Sequence, residues 1–307
     1  MYALALAVVA VLLIALAPRV MARQTRFRQA PRAALIAWQA VAFAGVLSAL
    51  AATPIAVLEL TPHGAARPAA DLIAVAVSGF VLASLLLNAH LIGTRLRVAR
   101  RRHRELLDLV GRDTSTAQGK ALYRVVPHET PTAYCIPGLR GHVVLTDGTL
   151  SSLREDELAA VLAHERAHLD QRHDLVLEFF SVLHSAAPPP IRAPQALSEV
   201  KLLIEVLADR AARRSVGDVP LARALLALVD GVTPVATLGA GGPDPEPTAL
   251  RGRRGSVAAP GPVNPTLVRM RLLAQPAAPR WLAVLVYSFA AGVLAAPIAL
   301  VGLALGS

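Results

Sequence analysis

Four stretches of this 307-residue chain are apolar over enough length to cross a lipid bilayer, and they fix the solvent in which much of it must fold. They run from Tyr2 to Ala17, from about Ala33 to Leu58, from about Leu72 to Ile92, and from Trp281 to Leu305. A crossing helix needs about 17–25 residues, which puts the first run at the lower limit. Hydrocarbon offers no hydrogen bonds, so each run must satisfy its own backbone as a helix. Residues of apolar type make up 54% of the chain and charged ones 17%. That is too greasy for an ordinary soluble protein and too charged for a bundle of spans alone. The expected fold class is an α-helical membrane protein with four transmembrane helices and an inserted α+β domain between the third and the fourth.

The formal charge is +10, unevenly placed. Arg19, Arg23, Arg26, Arg28 and Arg32 follow the first run, and Arg95, Arg97, Arg100, Arg101, Arg102 and Arg104 follow the third. Each cluster abuts an apolar run, where cytoplasmic flanks are basic. No aromatic residues interleave with them to stack on bases, so no direct nucleic-acid contact is expected. The first run has no basic residues before it and its positive charges after it, which fits a reverse signal anchor better than a cleaved signal peptide. The expected arrangement is a multi-pass protein of the cell membrane, with both termini outside and the inserted domain in the cytoplasm. The division is residues 1–94 for three spans and short loops, 95–279 for the cytosolic domain, and 280–307 for the fourth span. Within the domain, residues 238–265, rich in Gly, Pro and Ala, read as a flexible linker. Cys135 is the single cysteine, which excludes an internal disulfide; it falls in an expected strand as a structural thiol.

The inserted domain opens with a basic helix at about Arg95–Gly111. Strands are expected at Tyr123–Pro127, Ala133–Ile136 and Gly141–Leu145, separated by proline and glycine turns. Gly141–Thr146 has two open readings: an exposed strand that adds a substrate strand, or a plain core hairpin. Leu175–Leu183 is apolar but too short to span, and either joins a core or lies against the membrane. A further helix is expected at about Pro220–Val229. In the third span, Asn88 and His90 sit near the cytoplasmic end and reach the interface.

The chemistry is concentrated in Ala163–Leu169, which contains the pattern H-E-x-x-H. On a helix, His164 and His168 stand one turn apart, so two ring nitrogens can reach one Zn²⁺ at about 2.0–2.1 Å. Glu165 lies one residue round the helix, beside the position a water would take, and can serve as general base and then general acid. Leu158, Val161, Leu162 and Leu169 give the segment a buried side, and Ser151 or Ser152 with Glu155 and Asp156 supplies a cap and first-turn acids. A catalytic zinc needs a third protein ligand and one open position. Gln195–Arg214 reads as a helix with Glu205 and Asp209 on one face. Glu205 would complete a His₂Glu site holding one Zn²⁺ per chain, and Asp209 would accept the outer N–H of a ligand histidine. Glu199 competes as third ligand. Only Glu205, however, has a second carboxylate after it at helical spacing in an otherwise apolar stretch. The bland alternative is that both acids are solvated and pair with Lys201, Arg210 or Arg213. His173, five residues beyond His168, is off the ligand face.

The run H-E-R-A-H followed by E-V-L-A-D resembles the gluzincin pattern H-E-x-x-H…E-x-x-x-D of membrane metallopeptidases. Ala133–Gly138, Val143–Leu150 and Asp170–Asp174 are similar to the antirepressor peptidases of the BlaR/MecR type, over roughly Arg95 to Leu273. HtpX and CAAX-type peptidases share the zinc motifs. The resemblance implies a gluzincin-type zinc endopeptidase domain on the cytoplasmic side. It also implies a protein substrate, either a transcriptional repressor or a membrane partner, and a role in signalling. The other readings are a protein-processing or quality-control peptidase, and a non-catalytic zinc-binding receptor or scaffold. The oxyanion-stabilising group is open between Arg213 and Tyr134. Antibiotic-sensing relatives carry a penicillin-binding domain after the fourth span, whereas this sequence reaches Ser307 just past it. The inducing signal is therefore expected from a sensor partner, the outer loop or the spans. Arg154, Glu155, Asp156, Glu157, Arg166, Asp170 and Arg172 around the motif are costly at bilayer depth, which places the site in water or at the surface.

Overall fold

The computed structural model of the chain describes residues 1–60, 67–115, 121–138, 141–228, 265–276 and 278–306. The expected linker, 238–265, lies outside the described residues except for Pro265, which opens a helix. From the N-terminus, α1 (Tyr2–Val11) passes through a π-helical turn at Leu12–Leu16 into α2 (Ala17–Arg23), followed by α3 (Pro31–Leu60) and α4 (Arg67–Val110). The strands are β1 (Arg112–Ser115), β2 (Ala121–Val126), β3 (Ala133–Ile136) and β4 (His142–Thr146). Then come α5 (Asp147–Ser152), α6 (Glu155–Asp170), α7 (His173–Ala186), α8 (Pro194–Val216), α9 (Asp218–Ala227), α10 (Pro265–Ala274) and α11 (Arg280–Gly306).

Four helical stretches are long and apolar enough to cross a membrane: Tyr2–Arg23, Pro31–Glu59, Pro68–Val110 and Arg280–Gly306. The third expected span and the expected basic helix turn out to be one helix. Gly93 lies between them, but a lone glycine costs only about 1 kcal/mol in a helix and no proline follows it. Contacts divide the chain into two compact units. One holds Met1–Arg95, Leu175–Leu207 and Pro276–Ser307; the other holds Leu96–Asp174 and Ala208–Gln275.

The first unit is built on the apolar helices. Ala3 and Leu6 of α1 and Ile55 of α3 are buried together, with Ala51, Ala52, Leu300 and Val301 packed against them. Small residues let the helices approach closely without a hydrophobic force between them. Gly45 of α3 faces the π turn, where an added Cβ would stand 2.9 Å from Ile14 Cγ1. Leu72, Phe80 and Trp281 are exposed, as residues facing lipid would be. The Leu175–Leu183 run forms part of α7 and packs on these helices: Phe179 stacks on Phe43 with ring centroids 4.8 Å apart. The sequence-based division at 95–279 placed this run in the inserted domain, whereas by contacts Leu175–Leu207 groups with the apolar helices.

The second unit is an α+β fold. Its sheet has the order β1-β2-β4-β3, with β1–β2 and β3–β4 antiparallel and β2–β4 parallel. β1 was not foreseen: it is four polar residues, and its place is held by the cross-strand pair Asp113–Arg124, Oδ1 to Nε 2.7 Å. Ala133, Val143 and Leu145 of the sheet share a core with Ala160 and Val161 of α6, Ala212 of α8, and Leu221 and Ala224 of α9. A second cluster joins Leu107 to Tyr134, Ile136 and Val144 on the other face. The turn from β4 into α5 leaves no room for a side chain at Gly148, whose added Cβ would meet Glu129 O at 1.9 Å.

Two expectations change here. β4 has a hydrogen-bonded neighbour on each side, so Gly141–Thr146 cannot take up a substrate strand; the sheet edges are β1 and β3. Ser151 and Ser152 do not cap the H-E-x-x-H helix, because they belong to α5, which Thr146 caps. The helix α6 begins at Glu155 and is held by Glu157, whose Oε2 accepts the Arg154 N–H at 3.0 Å.

Candidate metal centre

The inward side of α6 carries both motif histidines. Ala160 and Val161 bury one face in the sheet core, and His164 and His168, continuing that face, are buried at 8% and 4% exposure. Their Nε2 atoms face each other at 3.1 Å. Glu205 stands one turn before Asp209 on α8, and one ligand atom from each of His164, His168 and Glu205 lies within 4.8 Å of the others. Glu165, the middle residue of the motif, is half-buried on α6.

The outer nitrogens explain why the inner ones converge. His164 Nδ1 lies 3.0 Å from Asp209 Oδ1, and Asp209 is fully buried. Burial pushes the Asp209 carboxyl up. The hydrogen bonds from Arg269 and then from His164 lower it more, and the group is held below the usual carboxylate range. A carboxylate accepts, so His164 must carry its proton on Nδ1, which leaves the Nε2 lone pair turned inward. His168 Nδ1 lies 3.0 Å from His173 Nδ1, and His173 is 2% exposed. Two imidazole lone pairs and a carboxylate brought together in this way suit Zn²⁺ in number and donor type, with outer groups holding the rings. The residues present therefore fit a metal of this class.

Two side chains at this centre were not foreseen. Arg269 of α10 donates to both oxygens of Asp209, Nε to Oδ2 at 2.8 Å and Nη2 to Oδ1 at 2.6 Å. Nothing in the sequence distinguishes it from Arg271 nearby; the only hint was that a buried acid needs a cation. His173 is not among the clustered ligand atoms, in keeping with its angle on the helix, but it contacts the outer nitrogen of a ligand histidine. That contact needs the chain to reverse between α6 and α7, which it does at Arg172 with φ of 51°. Asp174, next in the chain, is 3.5 Å from Arg100.

Other expected residues are engaged elsewhere. Glu199 forms a two-pronged ion pair with Arg28, one contact being Nε to Oε2 at 3.0 Å. Arg213 pairs with Asp218 and donates to the Leu273 carbonyl at 3.2 Å. The Tyr134 hydroxyl meets His103 Nε2 at 2.8 Å, and burial pushes its phenol up to about 12. Neither of the two suggested oxyanion groups is free of a structural commitment.

Residues 97–187 match Peptidase family M48. No curated protein and no solved structure gives a match. The matched segment takes in His164, Glu165, His168 and His173 and ends before Glu205, Asp209 and Arg269. The match supports a zinc metallopeptidase of that family, and with the four apolar helices it describes a membrane-type metallopeptidase. It does not single out the BlaR/MecR subtype.

Proposed function

We propose that the chain is a zinc endopeptidase anchored by four membrane-spanning helices, with its active site on the cytoplasmic side and a protein as substrate. The observation that carries it is the convergence of the His164 and His168 Nε2 atoms with the Glu205 carboxylate on a motif that also holds Glu165. A zinc ion held by these three residues would polarise the scissile carbonyl and acidify a water. Glu165 would be placed to accept a proton from the attacking water and to deliver it to the leaving amine nitrogen. Asp209 and His173 keep the two ligand rings turned inward, and Arg269 keeps Asp209 ionised. The substrate backbone has an edge to join at β3, which packs beside α6.

Glu205→Ala is expected to lose zinc while Glu199→Ala keeps it, as read by metal analysis of the purified variants. The reverse result would move the third ligand to Glu199.

The cytoplasmic placement follows from the two arginine clusters. Ser215, near the end of α8, is the reporter: Ser215→Cys should resist an impermeant thiol reagent in intact cells and label after permeabilisation. Labelling in intact cells would reverse the topology.

The enzyme reading is tested by comparing wild type with Glu165→Ala, with and without chelator, and by identifying the proteins that accumulate uncut in the variant. A DNA-binding repressor among them places the chain with the antirepressor peptidases, in regulatory signalling. Membrane proteins place it with processing and quality-control peptidases of the HtpX or CAAX type. Equal activity of both forms on every candidate leaves a non-catalytic scaffold.

A further inference from the structure

A cavity of about 310 Å³ lies among the helices of the first unit. Leu13 and Ile14 of the π turn, Val46 of α3, Phe80 of α4 and Phe180 of α7 line it, and its wall is hydrocarbon apart from Ser84, His184 and the Trp38 indole. The π turn bulges an otherwise regular apolar helix at this place, a distortion frequent at functional sites. Pro18, Ala187 and Ile191 also belong to the wall, and they bring two arginines to it.

The two are Arg19 and Arg192. Arg19 donates to the Ala15 carbonyl and, through Nη2, to the Arg192 carbonyl at 3.4 Å. Arg192 donates through Nε and Nη2 to the Ala187 carbonyl at 3.2 and 3.0 Å. Among the described residues neither guanidinium meets a carboxylate, whereas Arg28 on the same unit is paired with Glu199. Each guanidinium has five N–H donors, so both have donors to spare. The helix from Tyr2 to Pro18 rises about 26 Å at 1.5 Å per residue, close to the ~30 Å of bilayer hydrocarbon. Arg19 therefore falls at headgroup depth while the cavity lies at acyl depth. His184 Nδ1 is enclosed and has no hydrogen-bond partner among the described residues. Burial, and then the Arg192 charge, hold this imidazole below its ordinary value, so it is neutral at pH 7 and can accept a hydroxyl proton.

We propose that the cavity takes one acyl chain of an anionic glycerophospholipid whose phosphate is bound by Arg19 and Arg192. Charge complementarity selects the lipid. A zwitterionic headgroup would set its own cation against the two guanidiniums, and a free phosphate would leave the apolar cavity unfilled. The proposal rests on the membrane-spanning reading of the apolar helices and not on catalysis.

The test uses the full chain purified in detergent and native mass spectrometry, with phosphatidylglycerol and phosphatidylcholine of identical chains as probes. One phosphatidylglycerol per chain should be retained, with about tenfold preference over phosphatidylcholine. Arg19→Gln with Arg192→Gln should bring the two lipids level, and Val46→Trp, which fills the cavity, should weaken both. Because lipid retention is read without any peptide substrate, its outcome is independent of the enzyme reading. Equal retention of both lipids by the parent chain would overturn the proposal. So would a preference that survives the arginine substitutions, retention unchanged in Val46→Trp, or displacement of the lipid by millimolar inorganic phosphate.

Discussion

Glu165→Ala should hold as much zinc as the parent chain and lose peptide cleavage by about 10²–10⁴-fold. The two effects separate because Glu165 shares a helix with His164 and His168 but is not among the residues whose ligand atoms cluster. His164 and His168 face the Glu205 carboxylate from consecutive turns of α6, and Glu165 lies about 100° round the helix from His164. On the proposed function, removing its carboxylate would take away the group that accepts the water's proton and returns it to the amine, while leaving the clustered atoms of His164, His168 and Glu205 in place. His164→Ala should behave oppositely. It removes a ligand and one of the two partners of the buried Asp209 carboxylate, so metal and stability fall together. Zinc content by elemental analysis, thermal unfolding and cleavage rate on the same preparations distinguish the two. Zinc loss in Glu165→Ala would mean that the carboxylate serves the metal and not the proton.

Much of the site was legible because helices translate sequence spacing directly into geometry. The i, i+4 pairs His164–His168 and Glu205–Asp209 put ligand and supporting groups on single faces, and each lies on one uninterrupted helix. The four apolar runs were readable for a similar reason, since hydrocarbon admits only helices at that length. The features that escaped depend on contacts far apart in the chain or on reversals that spacing does not encode. Arg269 reaches Asp209 across 60 residues. His173 comes back to His168 only because Arg172 adopts a left-handed backbone. The position of β4 inside the sheet depends on its parallel pairing with β2, a crossover that no local alternation of apolar residues announces. Ser151 and Ser152 misled because they are the last residues of a short helix, α5, that ends directly before α6.

Arg269→Ala should destabilise the second unit by about 3–5 kcal/mol, the cost of leaving one partner of a buried ion pair uncompensated. The side chains of Asp209 and Arg269 are 1% and 14% exposed, and the pair is two-pronged, so solvent cannot replace the lost contacts. The pH dependence has a definite sign. In the parent chain the Asp209 carboxyl is held below its ordinary value, so its contribution is fully present above the unfolded carboxylate range. It disappears as pH falls through the folded value. In Arg269→Ala the raising effect of burial is opposed by His164 alone, so the proton is taken up at higher pH. The deficit of the variant should therefore be greatest near neutrality and shrink on acidification, as the stranded Asp209 takes up its proton in the variant while the parent's is still ionised. Asp209→Asn in the same background should recover part of the loss, because it removes the stranded charge while keeping an acceptor for the His164 N–H. Thermal unfolding of the parent, the two single variants and the double variant from pH 4 to pH 8 measures this. A deficit that does not vary with pH, or no recovery in the double variant, would show that Arg269 acts by packing its stem and not by holding the Asp209 charge.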